Sequence, residues 1–172
     1  DIASGTLTVT QGLTVPGTTD VNSTLTFNGG TNTLTGLLTV GNTGIVNFLS
    51  GTITFEGGIT NSGTGSFTAP GGTVRLNTND QSLTISGAGD IILPTTQIDQ
   101  GAVGSETITV TGAGSGQLAL GDLSFGAAGD KITTSAREIN FTGSVSLTNG
   151  EIETTGAAIL DFDGSVSGSG IY

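Results

Sequence analysis

Short triplets in which one polar residue, most often Thr, separates two large apolar residues recur along the whole chain. Leu7-Thr8-Val9, Leu25-Thr26-Phe27 and Ile53-Thr54-Phe55 are three of them. Successive side chains of a strand point to opposite faces, so each triplet places two apolar groups on one face and a hydroxyl on the other. Gly, Asn, Asp and Ser separate the triplets, as in "NGG" from Asn28 and "EGG" from Glu56, and limit each strand to about five residues. The pattern predicts an all-β fold built from many short strands.

No helical periodicity competes with this pattern. Apolar residues do not recur at i, i+3, i+4 and i+7, and the 31 glycines among 172 residues interrupt the chain at short intervals. Each glycine inside a helix costs about 1 kcal/mol relative to alanine. We therefore expect strands and turns throughout.

The spacing of the apolar residues distinguishes two all-β architectures. Couples such as Leu7 and Leu13 stand about six residues apart, and similar phrases return after roughly 18 to 21 residues, from Leu7 to Leu25, Val46 and Phe67. A parallel β-helix needs a period of roughly 20 residues per coil. The alternative, an antiparallel β-sandwich, usually has longer strands and aromatic core anchors, whereas only 5% of these residues are aromatic. We predict a single right-handed parallel β-helix, or solenoid, of about 8 rungs over residues 1–172.

The segment 86–104 departs from the repeated phrasing. It contains "DIILPTTQIDQGAVG", in which Pro94 has no backbone N–H to donate to a β-ladder. We expect an irregular rung or a protruding loop in this segment.

The charge balance excludes two classes of partner. Fourteen acidic residues against three basic ones, Arg75, Lys131 and Arg137, give a net charge of −11. Nucleic-acid binding needs clustered Lys and Arg that displace counterions from phosphates, and anionic membrane surfaces attract basic segments for the same reason. No run approaches the roughly 18 apolar residues of a membrane helix. We predict no nucleic-acid partner and no membrane insertion.

The residue types also limit catalysis. Without His or Cys, the usual nucleophile and base pairs cannot form, and neither disulfides nor thiolate chemistry is available. We therefore expect that the protein is not an enzyme. An acidic chain rich in Thr and Gly and free of Cys is typical of secreted bacterial proteins. The chain begins with Asp1 rather than Met, and we expect that it was processed or cut from a larger protein.

Paired carboxylates are the remaining candidates for chemistry. Asp161 and Asp163 flank Phe162, so a strand would place both carboxylates on one face, roughly 6 to 7 Å apart. This separation suits a glycosidase pair or a cation, and solvated acidic side chains on a β surface are the simpler interpretation. We predict at most a weak calcium site at Asp161 and Asp163, to which Glu151 and Glu153 could contribute, and no other cofactor.

Pairs of Thr with one residue between them are a further feature. A flat rank of outward Thr is how some β-helical antifreeze proteins bind ice, but these pairs do not return at a constant interval. The preference of Thr for outward strand positions is the simpler explanation of them. The pairs are Thr6/Thr8, Thr24/Thr26, Thr33/Thr35, Thr52/Thr54 and Thr107/Thr109.

Four stretches resemble a known class of bacterial repeat. "SGTLTVTQGLTV", "STLTFNGGTNTLTG", "GIVNFLSGTITFEGGITNSGTGSF" and "REINFTGSVSLTNGEIETTGAAILDFDGSVSGSG" are similar to the repeat stems of bacterial autotransporter passengers and filamentous-haemagglutinin-type secreted exoproteins. The resemblance implies secretion, a right-handed β-helix and a role as adhesin or spacer at the cell surface.

From these features we expect a non-enzymatic structural protein, secreted or on a bacterial cell surface. It would be an adhesin stem, a stalk, or a self-assembling filament or layer subunit. Its expected partners are copies of itself or neighbouring repeats of a longer chain, and host or surface glycans. Two alternatives remain: a carbohydrate-active β-helix, such as a polysaccharide lyase or hydrolase, and an ice-binding module.

Overall fold

The computed structural model describes residues 1–77, 80–98, 105–135 and 137–169 of the chain. Within these ranges the regular secondary structure is entirely β-strand, and the strands pair in parallel. They stack as a parallel β-helix of about 7 turns, compared with the about 8 rungs predicted. The predicted parallel β-helix is confirmed, and the antiparallel sandwich is excluded.

Each turn of the chain crosses three faces, which we number in the order in which the chain meets them. The long strands β4 and β6 bend from face 1 to face 2, so each contributes to both. Face 1 consists of β1 (Thr6–Val9), the first parts of β4 (Thr24–Leu34) and β6 (Ile45–Phe55), β8 (Ser66–Thr68), β11 (Ile91–Leu93), β14 (Leu118–Leu120), β17 (Ile139–Phe141) and β20 (Leu160–Phe162). Face 2 consists of β2 (Thr14–Val15), the second parts of β4 and β6, β9 (Thr73–Leu76), β12 (Thr95–Ile98), β15 (Leu123–Phe125), β18 (Val145–Ser146) and β21 (Val166–Ser167). Face 3 consists of β3 (Thr19–Val21), β5 (Leu38–Val40), β7 (Ile59–Asn61), β10 (Gln81–Ile85), β13 (Thr107–Thr111), β16 (Asp130–Thr134) and β19 (Gly150–Thr154).

Glycine makes the corner between faces 1 and 2. Gly30 and Gly51 have positive φ angles of 69° and 89°, a conformation that side chains with a Cβ rarely adopt. The two residues also lie above one another, and a Cβ on Gly51 would stand 2.6 Å from the carbonyl oxygen of Gly30. The corner therefore requires glycine both for its direction of bend and for the close approach of successive coils.

The apolar members of the triplets form columns along the axis of the helix. Leu7 pairs in register with Leu25, Leu25 with Val46, and Val46 with Phe67, which confirms the spacing read from the sequence. Beneath the first coil, Leu25, Val46 and Phe67 are buried. One continuous apolar core runs from Val9 to Ile152.

The coils are longer in the middle of the helix. On face 1, Leu25 pairs in register with Val46, and Ile91 pairs with Leu118. More residues of the chain separate the second pair than the first. Within the segment 86–104, β11 and β12 pair with strands of the following coil, and the buried Pro94 lies at the corner between them. Residues 99–104 lie outside the described residues, so the predicted loop stays a prediction there.

Candidate functional surface

Face 2 carries ordered hydroxyl groups on its outer side, which we call the Thr array. Residues between them, such as Asn32, Ile53 and Val74, are buried, so the alternating Thr side chains lie on the outer side of the strands. Thr54 is only 9% exposed there. The array consists of one column of Thr31, Thr52, Thr73 and Thr95, and a second column of Thr14, Thr33 and Thr54, each aligned by strand register.

The pleat fixes the spacing of the Thr array. Neighbouring strands lie about 4.8 Å apart, and alternate residues of one strand roughly 6 to 7 Å apart. Arg75 follows Thr54 in the second column and donates from Nε to Gln97 Oε1 at 3.1 Å, so charge interrupts this column after three residues. In later coils the second column again carries hydroxyl groups, from Ser124, Ser146 and Ser167. The result is a largely uncharged, hydroxyl-bearing face.

The structure explains why the Thr pairs are unevenly spaced along the chain. Thr6 and Thr8 stack on Thr24 and Thr26 on face 1, while Thr52 and Thr54 belong to face 2 and Thr107 and Thr109 to face 3. The pairs are therefore distributed over three faces. The irregular intervals between the pairs argued against an ordered array in the sequence. Within face 2, however, strand register aligns the Thr residues in columns.

The two predicted carboxylate pairs lie on different faces. Asp161 lies in β20 on face 1 and Asp163 directly follows this strand, and both are exposed. Phe162 between them turns inward and stacks on Phe141 with ring centroids 4.7 Å apart. Glu151 and Glu153 belong to β19 on face 3. The structure therefore does not bring the two pairs together.

The two carboxylate pairs also differ in their charged neighbours. Glu153 Oε2 lies 3.3 Å from Lys131 Nζ on the neighbouring strand, whereas Asp161 is in register with the uncharged Asn140. Within the described ranges, no group of three or more Asp or Glu side chains is placed to hold a metal ion. The weak calcium site at Asp161 and Asp163 stays a prediction.

Buried acidic and amide side chains at the corner between faces 2 and 3 were missed in the sequence. Asp130 is fully buried, and its carboxylate accepts the backbone N–H groups of Glu106 at 3.0 Å and Ala127 at 2.9 Å. Glu106 is also fully buried, and its Oε1 accepts from Gln81 Nε2 at 3.2 Å. Buried polar groups are retained where they satisfy backbone groups, so these side chains join successive coils at the corner.

Exposed aspartates make similar links between coils. Each accepts the backbone N–H of a residue one coil further along the chain, so part of the negative charge serves to hold corners. The contacts are Thr107 N to Asp80 Oδ1 at 3.1 Å, Gln117 N to Asp90 Oδ1 at 2.7 Å, and Ser144 N to Asp122 Oδ1 at 2.8 Å.

A shallow groove follows the corner between faces 1 and 2. Its lining includes Pro70, Pro94, Asp122 and Thr142. Asp122 is the one charged residue of the lining, and its Oδ1 already accepts the N–H of Ser144. Neither a second carboxylate for acid–base chemistry nor an aromatic platform for a sugar ring lines this groove.

No family model, curated protein or solved structure matches the chain. Over the part of the chain that the structure describes, no helix has the length and apolar character needed to cross a membrane.

Proposed function

We propose that the chain is a non-enzymatic structural protein at the outside of a bacterial cell, where it serves as a rigid stalk or adhesin stem. It would hold a binding region away from the surface. In this role the β-helix bears load and sets distance, and the outward side chains keep it soluble.

The parallel ladder supports this proposal most directly. Among the described strands, parallel pairing is unbroken on face 2 from β2 to β21 and on face 3 from β3 to β19, and on face 1 it is interrupted between β8 and β11. The apolar core beneath the three faces extends from Val9 to Ile152. Each coil is therefore fixed to its neighbours by main-chain hydrogen bonds on two or three sides, which resists bending. About 7 turns at about 4.8 Å per strand give a rod of about 34 Å.

The composition supports the location. The chain carries a net charge of −11 and is rich in hydroxyl groups, and it has no Cys that an oxidising environment could modify. The resemblance to repeat stems of autotransporter passengers and filamentous-haemagglutinin-type exoproteins points to the same location.

Labelling of intact cells tests the proposal. An antibody raised against the purified chain should label the surface of intact source cells by immunogold microscopy, and brief protease treatment of intact cells should remove the label. A cytoplasmic protein of the same cells, which should be labelled only after lysis, is the control. Label confined to lysed cells would overturn the surface role.

A depolymerisation screen tests the non-enzymatic part of the proposal. The purified chain, incubated with a panel of acidic and neutral polysaccharides, should release no new reducing ends and no unsaturated products. Release that disappears in an Asp161→Asn/Asp163→Asn variant would replace the structural role by a carbohydrate-active one. Release that is unchanged in this variant and still accompanies the chain after a further purification step would also replace the structural role, whereas release that separates from the chain would indicate a contaminating enzyme.

The register of the Thr array favours ice binding as a second candidate. Thr31, Thr52 and Thr73 form an in-register column, with Thr33 and Thr54 beside it. A flat face with methyl and hydroxyl groups at two regular spacings can order water against a crystal surface. Thermal hysteresis of the purified chain should then be lost in Thr52→Lys and retained in Thr68→Lys, which alters a Thr of face 1. Absence of hysteresis in the unmodified chain would exclude this candidate.

A further inference from the structure

The parallel ladder of face 1 is interrupted between β8 and β11, and we call this junction the seam. β8 pairs with β6 in the preceding coil and β11 pairs with β14 in the following coil, but among the described strands no pairing joins β8 to β11. On the other two faces the same two coils are paired, β9 with β12 on face 2 and β7 with β10 on face 3. The ladder is therefore open at the seam on one face only.

Main-chain groups of both strands point into the seam. The N–H of Ser66 donates to the preceding coil, and successive N–H groups of a strand point to opposite sides, so the N–H of Phe67 points toward β11. The N–H of Ile91 donates to the following coil, so that of Ile92 points back toward β8. Two complementary strand edges thus face each other, and among the described residues no backbone hydrogen bond joins them.

The side-chain amide of Asn61 links the two sides of the seam where both strands begin. Asn61 is fully buried, and its Nδ2 donates to Gly65 O at 2.8 Å and to Asp90 O at 3.0 Å. Gly65 directly precedes β8, and Asp90 directly precedes β11. Asn61 lies between Val40 and Ile85 in its own column, so a polar residue occupies an apolar position. Its hydrogen bonds join two coils that the ladder of face 1 does not join.

Apolar packing closes the seam from the inside. Phe67 is 4% exposed and Ile91 is fully buried. Phe67 stacks on Phe48 of the preceding coil with ring centroids 6.3 Å apart, and Ile91 pairs in register with Leu118 of the following coil. Each side chain is therefore held by its own side of the seam. Separation of the two sides would expose these residues without breaking a main-chain ladder on face 1.

We propose that the β-helix bends at the seam: face 1 opens there, the paired strands of faces 2 and 3 act as the hinge, and Asn61 holds the seam closed. At every other junction between described strands of face 1, opening must break main-chain hydrogen bonds as well as expose apolar side chains. The inference deepens the proposed role as a stalk and rests on that role for its use, because a rod with one hinge yields in one direction under load and then recloses.

Thiol labelling tests the hinge, because the chain contains no Cys of its own. A single Cys at a buried position reacts with a soluble thiol reagent only when the structure around it opens. Ile91→Cys, at the seam, should react at least tenfold faster than either of two controls. Leu118→Cys lies in β14, which is paired on both sides on face 1, and Leu83→Cys lies in β10, on face 3 of the coils that meet at the seam. All three positions are fully buried.

The two controls separate the possible outcomes. Equal rates for Ile91→Cys and Leu118→Cys would show that the seam opens no more easily than a paired junction, and would overturn the proposal. Equal rates for Ile91→Cys and Leu83→Cys would show that the coils separate on more than one face, which would overturn the hinge. Circular dichroism checks that each variant is folded. If Ile91→Cys unfolds, Phe67→Cys replaces it, with its register partner Val46→Cys as the control.

Asn61→Asp, made in the Ile91→Cys background, tests whether Asn61 holds the seam closed. Asp keeps the size and an acceptor oxygen but lacks the Nδ2 donor, so the labelling rate should rise at least tenfold. Asn32→Asp is the matched control, because Asn32 is also fully buried and its Nδ2 donates to Gly29 O at 3.1 Å, away from the seam. It should leave the rate unchanged. No rise in Asn61→Asp, or an equal rise in both variants, would overturn the role of Asn61.

The thiol experiment and the labelling of intact cells fail independently. Equal thiol rates in a protein found on the cell surface would remove the hinge and leave the stalk. Fast reaction of Ile91→Cys in a protein that is labelled only inside cells would remove the surface role and leave the hinge.

Discussion

Gly51 combines two constraints, a left-handed backbone and crowding by the preceding coil, whereas Gly5 meets only the first. Its φ is +89°, and a Cβ would stand 2.6 Å from the carbonyl oxygen of Gly30 in the preceding coil. Gly5 has a similar φ of +79°, but a Cβ there would meet nothing within 4 Å. The comparison separates the cost of the backbone conformation from the cost of crowding between coils.

Alanine at these two positions should therefore have different effects. Gly5→Ala should lower the free energy of unfolding by about 1 to 2 kcal/mol, the cost of the left-handed conformation. Gly51→Ala should add an overpacking cost of about 1 to 3 kcal/mol. Urea denaturation of both variants measures the difference. Equal losses would show that the coils move apart at this corner without cost.

Asp130 gives the second prediction at the scale of a residue. Asp130→Ala leaves the N–H groups of Glu106 and Ala127 without their acceptors in a buried corner, at about 1 to 3 kcal/mol for each. Asp122→Ala removes one exposed link and should cost about 1 kcal/mol or less. Thermal unfolding of the two variants should rank them in this order. A loss for Asp130→Ala no greater than for Asp122→Ala would show that water replaces the carboxylate.

At the scale of elements, stacked rings strengthen the joint between β4 and β6. Phe27 and Phe48 are in register, with ring centroids 5.8 Å apart and planes 6° from parallel. Phe55 meets Phe48 edge to face at 6.3 Å, and Phe67 stacks on it from the next coil. The low aromatic content thus conceals a concentration of aromatic contacts in the first turns.

Truncation of Phe48 should show how much this joint contributes. Phe48→Ala should cost about 3 to 5 kcal/mol, because it opens a cavity and removes three ring contacts. Leu49→Ala, at the adjacent exposed position, should change stability by about 0.5 kcal/mol or less. Chemical denaturation of both variants checks the prediction. A loss below about 1 kcal/mol for Phe48→Ala would mean that neighbouring coils collapse into the space.

The elements also show what the sequence could predict. The register of the first four coils could be predicted, because the intervals between the apolar residues match the strand pairing. These residues are Leu7, Leu25, Val46 and Phe67. The period cannot be counted onward through the middle, since the coil that joins Ile91 to Leu118 is longer than those before it. Local alternation therefore predicted strands well, whereas register beyond the fourth coil needed the structure.

The candidate surface was harder to predict for the same reason. The Thr array exists only when Thr31 and Thr52 are aligned by register, which pairwise intervals in the sequence do not show. Glu106 and Asp130 look like solvated acidic residues in the sequence, because nothing local indicates that their side chains turn inward to bond groups of another coil. Contacts between coils, rather than local propensity, determined both features.

At the scale of the whole molecule, protection should fall from the middle of the helix toward its ends. Coils in the middle are paired on both sides, whereas β1 and β21 pair on one side only among the described strands. In a protein built from stacked repeats, each coil is stabilised mainly by its nearest neighbours, so the end coils open at a lower free energy. The side-chain burial follows the same gradient, from 43% exposed at Leu7 to fully buried at Val46.

Hydrogen exchange followed by mass spectrometry tests this gradient. Measured on the purified chain, amides of β6, β9 and β10 should exchange at least a hundredfold more slowly than those of β1 and β21. Uniform protection along the helix would mean that it unfolds as one cooperative unit, and the nearest-neighbour description would then not apply.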